Sequence, residues 1–297
     1  MPNTQQYSQM ISSSLMGEWI VVASEQEFLQ CQQIKTCLDG QTLNIHRDII
    51  DGVHVYQVKF DLLEADMLNL AVQVAFGFVW LCVGTEKKPL FQLDEYEIVE
   101  ARRVPCGAYG VRTSPLRGTE NFLDMAHFPY VHTGILGAEP ETAVKPYHVE
   151  WREDVDEIWA TECFFTQPLA APSSPQPQET EYIYRVASPL NAILYKVNTA
   201  DVVCLFIQPL SETHIRAHLL MILDDQTSSM TDMVLFQQKI FTQDKPILEN
   251  HLPLKLPLEK LEIPTKADAL ATAYRKWLIT KNWSYGVHKS MQTEQVV

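Results

Sequence analysis

The stretch 120–132, which reads ENFLDMAHFPYVH, brings one carboxylate and two imidazoles close together along the chain. Asp124 and His127 are three residues apart, a spacing that places them on one face of a helix. Pro129 disfavours the α region for the residue before it, so we expect the helix to break there and His132 to return from the next turn. An unbroken helix would turn His132 about 140° away from His127, whereas a break lets both imidazoles converge on one point. The two histidines are therefore candidate metal ligands.

Two histidines do not complete a metal site, so a further ligand must come from elsewhere in the chain. A carboxylate would complete the facial triad that holds non-haem Fe(II) and leaves coordination positions open. The alternative is a partly buried helix whose histidines bond to the backbone, with Asp124 exposed to solvent. Because a lone H-x-x-x-x-H pattern is a weak signal, the motif by itself favours this alternative.

The wider pattern N-x-x-D-x-x-H-x-x-x-x-H is met by Asn121, Asp124, His127 and His132. It resembles the iron motif in the catalytic subunits of Rieske-type non-haem iron oxygenases, particularly their monooxygenase and demethylase branch. The resemblance implies that the two histidines bind iron. It also implies that Asp124 bridges to a Rieske cluster on a neighbouring subunit and carries electrons across. Asn121 is a candidate to support this site or to contact the substrate.

The family's third iron ligand is an aspartate followed four and five residues later by an apolar residue and Glu. Residues 241–250, FTQDKPILEN, offer Asp244 with Leu248 and Glu249 at those positions. The alternative is that Asp244 caps a short helix that opens directly after it. The local pattern favours the cap, and the resemblance favours the ligand.

The composition is typical of a globular protein with an acidic surface. Of 297 residues, 46% are hydrophobic, which is enough for a substantial core. With 23 basic against 37 acidic residues the formal charge is −14, which argues against nucleic acid as a partner. The first fifteen residues lack the apolar core of a signal peptide, and the apolar run 70–83 is too short to span a membrane. Six cysteines without paired spacing predict reduced thiols in a cytoplasmic protein.

Residues 19–84 are predicted to form strands, with a turn at Asp51-Gly52 and an apolar run at 68–83 that is long enough for one bent strand or two. They resemble the framework strands of a Rieske domain. A Rieske [2Fe–2S] centre needs two loops of the form C-x-H and C-x-x-H, and neither pattern occurs in this sequence. We therefore expect a cluster-less Rieske-like β domain over 1–100 and a mononuclear non-haem iron catalytic domain over 101–297.

Residues 89–118 are predicted to connect the two domains. Arg102, Arg103, Arg112 and Arg117 give this segment local positive charge, which would suit an acidic electron donor. Scattered salt bridges on a solvated face are the alternative.

A second group of strands follows the histidine motif, at 148–154, 157–165, 182–186, 192–197, 202–209 and 214–223, with a proline-rich loop at 168–180. We expect an antiparallel sheet of about six or seven strands. A period of two puts His214, Arg216 and His218 on one face of the last strand. If that face is concave, His214 and His218 are candidates to hold a polar substrate; otherwise they form a solvated edge.

Helices are predicted at 231–241 and 265–283, the second with Thr265 as its N-cap. The segment ADALATAYRKWL in the second helix resembles the closing helix of the oxygenase catalytic domain. The resemblance thus implies an α+β fold, with an antiparallel sheet flanked by helices.

The resemblance implies O2 activation at a mononuclear Fe²⁺ held by His127, His132 and Asp244. Without its own [2Fe–2S] cluster, the chain would need a separate Rieske-containing reductase or sister subunit, docked over Asp124, and NAD(P)H would act only through that reductase. This arrangement resembles the methylxanthine N-demethylase systems, in which methyl hydroxylation releases formaldehyde. The expected assembly is a trimer or hetero-oligomer. A non-catalytic subunit of an oxygenase complex and an oxygenase for another aromatic or methylated substrate stay open as alternatives.

Overall fold

The computed structural model of the chain describes residues 11–61, 69–169 and 177–289. Within these ranges the chain forms two three-stranded sheets and one seven-stranded sheet, all antiparallel, together with four α-helices. The predicted α+β class is confirmed. No helix in these ranges has the length and apolar character needed to cross a membrane.

The two small sheets come from the N-terminal part of the chain. Their strands are β1 (Trp19–Ser24), β2 (Gln33–Leu38), β3 (Gln41–Ile50), β4 (Val53–Phe60), β5 (Leu70–Ala75) and β6 (Phe78–Val83). One sheet has the order β1-β6-β5 and the other has the order β2-β3-β4. Asp51 and Gly52 have φ of +51° and +79°, as a two-residue turn between β3 and β4 requires. The predicted β region is confirmed over residues 19–61 and 69–84, and the described part of the apolar run 68–83 contains two strands; residues 62–68 lie outside the described part.

The seven-stranded sheet has the order β7-β13-β12-β11-β10-β9-β8. Its strands are β7 (Arg102–Val111), β8 (His148–Arg152), β9 (Glu157–Gln167), β10 (Gln178–Ser188), β11 (Asn191–Lys196), β12 (Asp201–Ser211) and β13 (His214–Leu223). The sheet of six or seven strands is therefore confirmed. The predicted loop 168–180 is too long at its C-terminal end, because β10 already begins at Gln178; residues 170–176 lie outside the described part.

Strand β7 corrects the prediction of a purely connecting segment at 89–118. The strand contains Pro105, Gly107 and Gly110, residue types that are typical of turns. Pro105 is tolerated because β7 is an edge strand, where the missing N–H of a proline need not pair with a neighbouring strand. Its pairing with β13 also shifts register between His218 and Leu220, so the strand carries a bulge beside Pro105.

The four helices are α1 (Pro115–Phe122), α2 (Phe128–Val131), α3 (Met230–Glu249) and α4 (Ala269–Thr280). Helix α3 is longer than predicted because it continues through Pro246. Asp244 therefore lies inside a helix and does not cap one. The predicted cap at Thr265 is confirmed: its side chain accepts from the N–H of Ala267, and a short 3₁₀ turn leads into α4.

The two faces of the seven-stranded sheet pack against different partners. On one face Phe206 contacts Trp80 and Phe78 of β6, with ring centroids 5.0 and 5.4 Å apart, so the N-terminal sheets cover this side. The opposite face carries Leu205 and Ala217 and packs against the helices. Residues 1–100 and 101–297 thus meet in an apolar interface in the described part of the chain. The division into two domains at residue 100 stays a prediction.

Candidate metal centre

His127, His132 and Asp244 come together although Asp244 is more than a hundred positions further along the chain. One ligand atom from each lies within 4.8 Å of the other two. The Oδ1 atom of Asp244 is 3.4 Å from Nε2 of His127 and 3.0 Å from Nε2 of His132. His132 and Asp244 are buried, with exposed fractions of 1% and 8%.

A one-turn helix places the two histidines. His127 is the residue before α2 and His132 is the residue after it, so their rings converge with centroids 4.9 Å apart. The expectation that Pro129 would break a helix here is wrong. Pro129 lies in the first turn of α2, where its missing N–H forfeits no helical hydrogen bond. The break falls earlier, because α1 ends at Phe122.

Helix α3 supplies the carboxylate from the other side. Asp244 lies on its buried stripe with Phe241 and Leu248, which fixes its direction. The Oδ1 atom of Asp244 is buried, and no hydrogen bond of acceptable geometry reaches it within the described residues. A buried carboxylate oxygen without a donor is costly unless a cation satisfies it.

The three ligand atoms suit a metal ion. Two ligand atoms about 2.1 Å from a metal and at right angles to each other are about 3 Å apart, close to the separations that Asp244 makes with the histidines. Two imidazoles and one carboxylate form the donor set typical of mononuclear non-haem iron. The residues present therefore fit iron.

Each imidazole has a partner on its other nitrogen. Nδ1 of His127 is 3.1 Å from Oδ2 of Asp124, and Nδ1 of His132 is 3.0 Å from Oε1 of Gln243. With Nδ1 donating to these acceptors, Nε2 of each ring is left with a lone pair for a metal. Asp124 is itself held, because its Oδ1 accepts from the N–H of Ala126 at 2.7 Å. Gln243 is not among the residues that the sequence motifs single out, and its sole signal in the sequence is its place beside Asp244.

The electrostatics favour positive charge between the ligands. Burial by itself lowers the pKa of His127, but the carboxylates of Asp124 and Asp244 outweigh it and raise that pKa to about 9. Burial by itself raises the pKa of Asp244, but the adjacent imidazoles of His127 and His132 outweigh it and hold that pKa at about 2. A divalent cation would supply the charge that the site attracts.

An apolar cavity lies beside the metal centre, between α3 and the helix-facing side of the seven-stranded sheet. Its polar side chains away from the metal ligands include Asn121, Gln167, Tyr184 and Gln237. Its walls are mostly apolar residues of the central strands, among them Val203, Leu205, Ile207, Ile215, Ala217, Leu219 and Met221. Asn121, which was expected to support the site or to contact the substrate, therefore lines the cavity.

His214 and His218 do not line this cavity, which corrects the expectation for β13. The cavity takes Ile215 and Ala217 from the strand, so the polar face points the other way. His214 is exposed at the end of the strand. His218 is buried on the side of Phe78, where its Nε2 is 3.1 Å from Oε1 of Gln208.

The four arginines of 89–118 are all engaged by the chain itself. Arg102 and Arg103 donate to backbone carbonyls, and Arg112 donates to the carbonyl of Glu249. Arg117 is buried and paired with Glu262. These contacts argue against a free docking surface at the four arginines, but three of them are hydrogen bonds to backbone carbonyls and the ion pair of Arg117 is buried, so they are not the predicted salt bridges on a solvated face either.

A groove on the outer side of the metal centre is lined by Asp124 and His127, together with Ile247, Ile263 and Ile279. His127 and Asn121 line both the groove and the cavity, so the candidate metal centre lies next to both spaces.

Comparison with known proteins places this site in a family. Residues 111–280 match the family model "Vanillate O-demethylase oxygenase C-terminal domain". The chain is 43% identical over 281 residues to "Probable methylxanthine N7-demethylase NdmC" of Pseudomonas sp. (strain TJI-51), covering 93% of this chain and 97% of that protein.

Solved structures share the fold. NdmB of Pseudomonas putida CBB5 superposes with a TM-score of 0.69 at 16% identity, covering 90% of this chain and 91% of that one. Dicamba monooxygenase bound to dicamba gives a TM-score of 0.66 at 13% identity, covering 91% and 99%. The chain therefore belongs to the Rieske-type non-haem iron oxygenases, and within them to the demethylase branch.

Proposed function

We propose that this chain is an O2-dependent mononuclear non-haem iron monooxygenase that removes an N-methyl group from a methylxanthine-like substrate. The observation that carries the proposal is the buried set of His127, His132 and Asp244 beside an apolar cavity. The balanced reaction takes N–CH3, O2, two electrons and two protons to N–H, formaldehyde and water. The similarity to the N7-demethylase supports the choice of substrate.

The chain's own residues prepare the site for this reaction. Iron held by His127, His132 and Asp244 would supply the O2 and one-electron chemistry that side chains lack. Asp124 and Gln243 fix the orientation and tautomer of the two imidazoles. The apolar strand residues exclude water and hold a flat substrate next to the metal centre.

We propose that the electrons come from another protein, because neither of the two loops that hold a Rieske cluster occurs in the given sequence. We place the docking site for a Rieske-containing reductase or sister subunit at the groove beside Asp124. Ile263, which lines the groove, is 94% exposed, and Ile247 and Ile279 add further exposed apolar surface. NAD(P)H would act only through that partner.

Iron content is the test of the site. We expect about one Fe²⁺ per chain after anaerobic reconstitution, since one facial triad holds one ion. His127→Ala and Asp244→Ala should lose the iron, whereas the control His214→Ala, at an exposed histidine outside the cavity, should keep it. Visible absorption should lack the broad bands of a [2Fe–2S] centre. Iron that survives both ligand substitutions would contradict the metal site and leave a non-catalytic subunit as the better interpretation.

Formaldehyde is the test of the reaction. With NADH and a purified Rieske-containing reductase, we expect formaldehyde to form in step with loss of a methyl group from 7-methylxanthine. A panel of methylated purines and aryl methyl ethers separates this activity from an oxygenase for another methylated aromatic compound. Turnover of the ethers alone would overturn the choice of substrate while leaving the iron site in place.

A further inference from the structure

Tyr184 lines the cavity and carries a buried hydroxyl. The residue lies on β10 with no exposed surface, and its ring lies 6.2 Å from that of Tyr182 and 6.4 Å from that of Phe122. Its hydroxyl has no hydrogen-bond partner among the described residues. Burial raises the pKa of Tyr184 well above its ordinary value, so the hydroxyl stays a donor.

Gln167 presents a second buried donor at the end of β9. It has no exposed surface, and its Oε1 accepts a long hydrogen bond of 3.5 Å from Oγ1 of Thr180. Nε2 of the same amide has no partner among the described residues. Gln167 and Tyr184 both line the cavity.

Buried polar groups without partners are rare in folded proteins because their desolvation is not repaid. Two such donors in one cavity indicate a ligand that brings acceptors. The described residues that line the cavity include no arginine, and their single lysine, Lys196, ends β11 close to the acidic Asp201. The cavity therefore suits an uncharged ring with acceptor atoms better than an aromatic carboxylate.

We propose that Tyr184 and Gln167 donate hydrogen bonds to carbonyl oxygens of an uncharged substrate ring and thereby select carbonyl-bearing heterocycles. This inference rests on the proposed function, because it assigns residues to substrate recognition in the same cavity. Neither residue acts on the metal ligands. Their contribution is discrimination between rings that have carbonyl groups and rings that lack them.

A matched pair of ligands tests the inference. 7-Methylxanthine and 7-methylpurine share one ring frame. 7-Methylxanthine has two carbonyl groups, and it carries N–H at positions 1 and 3, where 7-methylpurine has ring nitrogens without hydrogen. Vanillate serves as the aromatic carboxylate. Dissociation constants are measured by calorimetry on iron-loaded protein under anaerobic conditions without a reductase, so that no turnover occurs. We expect the wild-type protein to prefer 7-methylxanthine over both other ligands.

The variants are Tyr184→Phe and Gln167→Met, which remove one donor each with little change in size. We expect each to lower the preference for 7-methylxanthine over 7-methylpurine by about tenfold, the effect of one well-made hydrogen bond, while 7-methylpurine binds as before. Tyr285→Phe, at a buried tyrosine outside the cavity, is the control and should keep the wild-type preference. Thermal midpoints of all variants show whether each is folded.

The outcomes separate the two proposals. An unchanged preference in both donor variants, or equal binding of the two ligands by the wild-type protein, overturns the assignment of the donors and leaves demethylation untouched. Failure of all three ligands to bind also overturns it. If the ligands bind in the expected pattern but the wild-type protein forms no formaldehyde, the result supports the assignment of Tyr184 and Gln167 as donors and counts against the proposed reaction.

Discussion

At the scale of residues, this chain gives its nine histidines different environments. His127 and His132 each have an acceptor on Nδ1 and converge on a buried carboxylate. His218 is buried without any charged partner in hydrogen-bond contact: its Nε2 donates to Gln208, and its Nδ1 has no partner among the described residues. The same residue type thus serves as a proposed metal ligand on one face of the sheet and as a neutral core residue on the other.

The pH dependence of stability should report His218. Burial, and to a smaller extent the charge of Arg216, lower the pKa of His218 from 6.5 to about 3. Below pH 6.5 the unfolded chain binds a proton at this position and the native protein does not, so stability falls as the pH falls towards 3. One such group contributes about 1.4 kcal/mol per pH unit to that slope.

Urea unfolding of His218→Gln between pH 6.5 and 4.5 measures this contribution. We expect the variant to lose stability less steeply than the wild-type protein, by about 1.4 kcal/mol per pH unit. His214→Gln, four residues away on the same strand and exposed, is expected to keep the wild-type slope. Equal slopes for His218→Gln and the wild-type protein would show that His218 is protonated in the native state.

At the scale of elements, the position of α2 determines where the two histidines point. Gly137 lies against this helix: a Cβ there would be 2.8 Å from the backbone N of Pro129 and 3.0 Å from the backbone C of Phe128. Backbone atoms cannot swing away as the end of a side chain can. A side chain at this position would therefore displace the one turn of helix between His127 and His132.

We expect Gly137→Ala to weaken iron binding by about tenfold or more, because misplaced ligands bind less tightly, and to lower the free energy of unfolding by about 1–3 kcal/mol. Competition with a chelator for Fe²⁺ measures the first effect and urea unfolding the second. Gly110→Ala is the matched control, since nothing lies within 4 Å of its added Cβ. Iron affinity that matches the wild-type value would mean that α2 can shift without moving the ligands.

The elements also show how far sequence alone reaches. Most strands and the cap at Thr265 follow from local patterns. The convergence of His127 and His132 was expected from a break at Pro129 that the structure does not have, and the histidine motif alone favours a partly buried helix, so this grouping also depended on the family resemblance. The membership of Asp244 in the set required the family resemblance, because its local pattern favours an N-cap. The sequence could not predict which face of β13 lines the cavity. A period of two identifies two faces, and only the packing of α3 and β6 against the sheet decides which of them meets the cavity.

At the scale of the whole molecule, the candidate metal centre lies between an inner cavity and an outer groove. We expect Ile263→Asp, on the rim of the groove, to lower reductase-supported turnover at least tenfold through a higher KM for the partner, because a charge replaces apolar contact surface. Iron content and binding of 7-methylxanthine should stay at wild-type values.

Steady-state rates over a range of reductase concentrations measure this effect. Val99→Asp is the control, at a position that is 84% exposed and does not line the groove. An identical loss in both variants would point to a general change in surface charge, and no loss at Ile263 would move the docking site elsewhere.

The seven-stranded sheet carries one more consequence. Its second face, with Phe206, Ile193 and Leu220, is covered by Phe78 and Trp80 from the N-terminal sheets. Removing the N-terminal sheets would expose these apolar side chains to water. We therefore expect the N-terminal strands to be needed as structural cover for the seven-stranded sheet, whether or not they hold an iron–sulfur cluster.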